Sequence, residues 1–172
     1  MNRVNSRLSS KEERLWHAVK HGDTSRVQQI FKDQKEDKKE AKDSSKNKMW
    51  GKNAIDRNQI DVNKKDKYGM SSLVVAINSG KSDIAKILIS EQNADVNTRF
   101  GKNSDTALHL ACHRASNKLL TLNPEKNERE KIVKLLLDNG ADPNALNKNL
   151  LTPVAFTTGS QKEEFFLGNF IS

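Results

Sequence analysis

A three-residue phrase recurs along this chain of 172 residues: Asp61-Val62-Asn63, Asp95-Val96-Asn97 and Asp142-Pro143-Asn144, the last two preceded by Ala94 and Ala141. Asn63 to Asn97 is 34 positions and Asn97 to Asn144 is 47, which is one period plus an insertion. Self-similarity near 33 residues marks a stacked solenoid, because each copy is a single supersecondary unit that cannot cover its own apolar face. At least three stacked copies are needed to bury that face.

The phrases bring the rest of each unit into register. Ile132-Val133-Lys134-Leu135-Leu136-Leu137 and Ile84-Ala85-Lys86-Ile87-Leu88-Ile89 each read as a helix ending just before a phrase. Earlier in the unit, Thr106-Ala107-Leu108-His109-Leu110-Ala111-Cys112 aligns with Ser71 to Ile77 and with Thr152 to Phe156, a first and shorter helix. Thr106 and Ser71 stand where a helix N-cap hydroxyl is wanted, and Gly140 stands where a left-handed residue ends a helix. Gly22 and Gly80 fall in the turn between the two helices of their units.

On these residues the chain resembles the ankyrin repeat family, whose unit is a β-turn and two helices with a T-P-L-H-x-A opening. Thr106 to Ala111 departs from that opening only at Ala107, and Gly140-Ala141-Asp142-Pro143-Asn144 is similar to the family's repeat ending. The resemblance implies an all-α ankyrin solenoid of about four units. Residues 1–12 form an N-terminal tail and 13–63 a capping-type first unit with a charged insertion at about 33–57. The second unit is 66–97, the third is 101–144 with an insertion at about 117–128, and 148–172 is an incomplete last unit. A structural hydrogen bond at His109 is also implied. Ser104 and Leu150 replace the hairpin glycine that Gly69 supplies, so those two turns are expected to be distorted.

Only 34% of residues are hydrophobic and 5% aromatic, so small aliphatic side chains must supply most of the packing. The stretch from Asp33 to Arg57 is rich in lysine, glutamate and serine and is expected to lack fixed structure. Within it, Met49-Trp50 either docks on the solenoid or offers a short binding motif. In the second insertion, Leu119, Leu120 and Leu122 are expected to lengthen or cover the first helix, with Pro124 stopping any helix running through. Phe165 and Phe166 are expected to bury against the third unit.

Other functions find little support. Cys112 is the lone cysteine and lies on an apolar helix stretch, so a small buried hydrophobe in a reducing compartment is expected. Residues Met1 to Ser10 show no apolar run of signal-peptide type, so a secreted chain is not expected, and the sequence has no phosphate-binding loop, zinc-protease motif or nucleophile elbow. His17 with His21 and His109 with His113 form i, i+4 pairs but have no evident third ligand; no enzyme activity, cofactor or metal is expected. A net charge of +8 makes nucleic acid a formal option through Lys64, Lys65, Lys67, Arg99, Lys102 and Lys148. These cations alternate with acids and lack an aromatic stacking set, which disfavours that option.

The expected role is a non-catalytic interaction module, an adaptor or scaffold, that binds a protein partner. The resemblance implies that partners meet the hairpin tips and the exposed ends of first helices. In this chain those are Lys20 and His21 in the first unit and Lys67, Tyr68, Met70, Asn78 and Ser79 in the second. The third contributes Lys102, Asn103, Asp105, His113 and Arg114, and the last Lys148, Asn149 and Leu151, with Tyr68 and Arg114 the favoured anchors. A regulatory or inhibitory segment of a larger protein, masking a transcription factor, enzyme or channel, is the alternative. A monomer located in the cytoplasm, with the nucleus as a second compartment, is expected.

Overall fold

The computed structural model describes residues 10–43, 59–115 and 125–157. Helices α1 (Lys11–His21), α2 (Thr24–Asp43), α3 (Ser72–Asn78), α4 (Ser82–Gln92), α5 (Ala107–Ala115) and α6 (Glu125–Asp138) precede a 3-10 turn at Pro153–Phe156. Strands β1 (Arg99–Phe100) and β2 (Asp105–Thr106) pair antiparallel within the third hairpin, Arg99 opposite Thr106.

The helices form two stacked rows. First helices α1, α3 and α5 pack on one another in order, followed by the 3-10 turn, and α2, α4 and α6 lie in a second row behind them. Lining up the units explains why. Leu15, Leu73 and Leu108 share one register position and Ala18, Ala76 and Ala111 the next turn's, all at most 2% exposed. Alanine there lets neighbouring first helices approach closely, while Val27, Ile84 and Ile132 fill the second row. The result is one continuous apolar core running along the stack.

Several helix ends follow simple local chemistry. The Glu13 N–H donates to Ser10 Oγ (3.1 Å), so α1 starts at Lys11, two residues before the boundary expected from sequence. Gly22 (φ 73°) ends α1 in the left-handed conformation, and Asn93 (φ 54°) does the same for α4, where its counterpart Gly140 follows α6.

Two expectations about the insertions need correction. Helix α2 continues unbroken to Asp43, so order extends well into the charged stretch beginning at Asp33. Lysine, glutamate and glutamine favour helix, Gln34 is buried, and Lys11 Nζ pairs with the Asp37 carboxylate at 3.0 Å, tying this part of α2 to α1. Helix α6 begins at Glu125, so the end of the second insertion belongs to it; Ser82 donates to the Glu128 carboxylate and Arg129 to the Arg114 carbonyl (2.9 Å). Lys131 and then Ser82, by hydrogen bonding, hold the Glu128 carboxyl below its usual range. Met49-Trp50, Leu119, Leu120, Leu122, Phe165 and Phe166 lie outside the described residues.

The turns at Ser104 and Leu150 are not rearranged. Both residues adopt the left-handed backbone of Gly69, with φ of 53° and 57° against 75°. An L-residue there costs about 1–2 kcal/mol, and Leu150 is also 76% exposed. Leu150→Gly is expected to raise stability by about 0.5–1 kcal/mol after glycine's extra chain entropy, read as an increased urea midpoint. The aligned first helix of the last unit is present only as the 3-10 turn, where Pro153 at its start suits the fixed φ.

Cys112 is buried in the core, and burial pushes its thiol up to about 12. Because the thiol ionises more readily in the unfolded chain, this group's contribution to stability falls as pH rises from about 9 toward 12. Near pH 8, iodoacetamide is expected to leave the native protein unlabelled and to modify it fully in urea; mass spectrometry checks this. Native labelling at the unfolded rate would contradict the buried placement.

Candidate functional site

The hairpins are fixed to one another by the recurring phrase itself. Within each copy the Asn N–H donates to the preceding Asp Oδ1, at 2.9 Å for Asn63, 2.9 Å for Asn97 and 2.8 Å for Asn144. The Asn side chain then works between units: the Asp95 N–H donates to Asn63 Oδ1 (2.8 Å) and the Asp142 N–H to Asn97 Oδ1 (2.9 Å). Asn97 Nδ2 also donates to the Gly140 carbonyl at 3.0 Å.

A parallel set joins the tips. Lys65 Nζ donates to the Arg99 carbonyl (2.7 Å), and Arg99 Nη1 donates to the carbonyls of Ser104 (3.1 Å) and Leu146 (2.8 Å). The Lys148 N–H donates to the Asn103 carbonyl (2.8 Å), and Asn147 Nδ2 to Asp105 Oδ1 (2.7 Å). Lys64 reaches Glu12 at 3.5 Å. Burial would raise the Glu12 carboxyl, but its own backbone N–H, the Ser10 hydroxyl and the Lys64 ammonium together hold it below its usual value.

His109 makes the implied structural bond, and it spans two units. The Thr106 N–H donates to Nδ1 (3.2 Å), which also faces the Thr106 hydroxyl (2.8 Å). These partners place the proton on Nε2, which donates to the Leu151 carbonyl at 3.0 Å. The ring therefore couples the third unit to the fourth.

Beside His109, a cleft of about 190 Å³ opens between the third hairpin, α5 and the 3-10 turn, lined by Phe100, Asp105, His109, Leu110, His113 and Phe156. Phe156 meets His109 and His113 edge-on, with ring centroids 5.8 and 6.0 Å apart. Pockets for whole small molecules span about 300–1,000 Å³, so this cleft is smaller than such a site and has room for about one side chain. Asp105 and His113 supply a polar rim.

Of the expected contact residues, Lys20, His21, Lys67, Tyr68, Asn78, Lys102, Asn103, His113, Lys148, Asn149 and Leu151 are exposed. Met70, Ser79, Asp105 and Arg114 are half-buried. Tyr68 is 66% exposed, and Lys67 Nζ lies 5.1 Å from its ring centroid. Arg114 is engaged: it donates to the Asn78 side chain of the second unit, and its carbonyl accepts from Arg129. Tyr68 precedes its first helix and Arg114 closes the next unit's, so about 10 Å of helix separates their levels and they form no single contact point.

Phe100, Leu110 and Phe156 were not among the expected contacts. Leu110 and Phe156 share one register position with Val75 and His17. Apolar residues recurring there are the signal that alignment of the units offers. The third hairpin is also one residue longer, nine positions from Asn97 to Thr106 against eight from Asn63 to Ser71, and carries Phe100 in the extra length. Among the described residues no cluster of three potential metal ligands occurs, and no helix is long and apolar enough to cross a membrane.

A family model for ankyrin repeats, in three copies, matches residues 15–147. The chain belongs to the ankyrin repeat family. Ankyrin repeats are generally protein–protein interaction modules and generally non-enzymatic. The chain is 35% identical over 102 residues to alpha-latrocrustotoxin-Lt1a of Latrodectus tredecimguttatus, covering 59% of this chain and 6% of the toxin. It is 33% identical over 93 residues to the BTB/POZ domain and ankyrin repeat-containing protein NH5.2 of Oryza sativa subsp. japonica, covering 54% and 16%. To the ankyrin repeat, SAM and basic leucine zipper domain-containing protein 1 of Saimiri boliviensis boliviensis it is 26% identical over 151 residues, covering 87% and 24%. The chain thus spans less than a quarter of each of these relatives.

Proposed function

We propose that this ankyrin stack is a non-catalytic module that holds a protein partner across its hairpin tips and first helices, with one apolar side chain of the partner seated in the cleft beside His113. The observation that carries the proposal is the cleft: an opening walled by Phe100, Leu110 and Phe156 stands where the third hairpin and first helix meet. Exposed Tyr68 extends the same face toward the second unit.

The test uses partners cross-linked to the full chain and then purified. Tyr68→Ala with Arg114→Ala, and separately Leu110→Ala with His113→Ala, are expected to weaken binding about tenfold or more, with helical circular dichroism unchanged. Unchanged affinity in both double variants sinks the proposed face. A regulatory role within a larger protein is the second reading, favoured by the rice relative, whose repeats share a chain with a BTB/POZ domain. A cytoplasmic or nuclear location belongs to the same proposal, supported by a single buried thiol that needs no oxidising compartment.

A further inference from the structure

Lys67, Lys102 and Lys148 occupy the same place in three successive hairpins, each one residue after the turn-opening Asp66, Gly101 or Asn147. All three are exposed. The other hairpin cations serve the fold: Lys64 pairs with Glu12, Lys65 holds the Arg99 carbonyl, and Arg99 holds those of Ser104 and Leu146. Among the described residues no salt bridge engages Lys67, Lys102 or Lys148. Each lies in a turn closed by a local backbone bond, Gly69 to Asp66, Ser104 to Gly101 and Leu150 to Asn147, and the Lys148 N–H also donates across to the Asn103 carbonyl.

We infer that these three lysines form a ruler for an extended acidic segment of the protein partner, with a carboxylate at every third residue. The inference rests on the protein-binding role proposed above. Helices that pack side by side lie about 8–10 Å apart, so hairpins of successive units are expected to repeat at about that interval. A polyproline-II segment rises about 3.1 Å per residue with three residues per turn, so every third side chain returns to one face after about 9 Å. Three carboxylates at that interval meet three ammonium groups without distorting either chain. A nucleic acid fits less well. Tyr68 is the one exposed aromatic on the tips among the described residues, and Asp61, Asp95 and Asp142 line the same hairpins and repel a continuous polyanion.

The experiment titrates the full chain with a fluorescent peptide of four Glu-Pro-Pro repeats, a peptide of the same composition with its glutamates contiguous, and oligo-dT. The spaced peptide is expected to bind best, to weaken steeply with salt, and to lose about tenfold affinity in the triple variant Lys67→Gln, Lys102→Gln, Lys148→Gln. Equal binding of the two peptides, tighter binding of oligo-dT, or no loss in the triple variant overturns the inference. A cross-linked partner that binds the triple variant normally yet is lost in Leu110→Ala with His113→Ala overturns the lysine ruler while leaving the interaction face intact.

Discussion

Leu108→Ala is expected to lower the unfolding free energy by about 3 kcal/mol, seen as a shifted urea midpoint in far-ultraviolet circular dichroism. Leu108 is 0% exposed in α5, which packs on α3, α6 and the 3-10 turn. Removing its isobutyl group forfeits the transfer of that group from water and leaves a cavity between three elements. The neighbours have little freedom to close the gap, since Ala107, Ala111 and Cys112 beside it are already close-packed. Domains of this size are stable by about 5–15 kcal/mol, so the loss is a large share of the total. Tyr68→Ala is the matched control, expected to stay within about 0.5 kcal/mol because its ring is exposed. A Leu108→Ala loss below about 1 kcal/mol would contradict the continuous core.

His109→Ala is expected to cost about 2–3 kcal/mol, with the loosening concentrated between the third and fourth units. Truncation removes the acceptor of the buried Thr106 N–H and the Nε2–H bond to Leu151. An unsatisfied buried donor costs about 1–3 kcal/mol, and the lost ring contact with Phe156 adds to it. The Leu151 carbonyl is less affected, because the Asn147 N–H also donates to it at 3.0 Å. Hydrogen exchange should show faster exchange at Leu150 and Leu151 than at the α4 amides. Uniform acceleration along the chain would mean that His109 supports its own helix only. The two substitutions touch adjacent residues, so their effects are not expected to add.

The period, the two helices per unit and the capping positions are legible in the sequence because they are local. Each needs only residues within one unit: the apolar spacing of Ile132 to Leu137, the hydroxyl at Ser71, the left-handed glycines. Even the Asp–Asn turn within each phrase closes over two residues. Where that local logic met a competing one it misled: the charged run after Asp33 has few apolar residues, yet its helix propensity and the Lys11–Asp37 pair across 26 residues keep it helical as far as Asp43. Likewise Ser104 and Leu150 accept the glycine backbone in turns closed by their own N–H groups, which donate to the Gly101 and Asn147 carbonyls.

Periodicity alone dictates that the repeated units stack and which faces they bury. What the stack presents to a partner is settled by packing. Asn63 meets Asp95 over 32 positions and Asn97 meets Asp142 over 45, separations at which no local pattern states a partner. The cleft likewise gathers Phe100, Leu110 and Phe156 from three elements, and packing ties half-buried Arg114 to Asn78 of the neighbouring unit. A repeat pattern specifies the direction a side chain takes from its own helix, whereas a binding face depends on which neighbouring unit stands opposite, and that is known only once the units have packed.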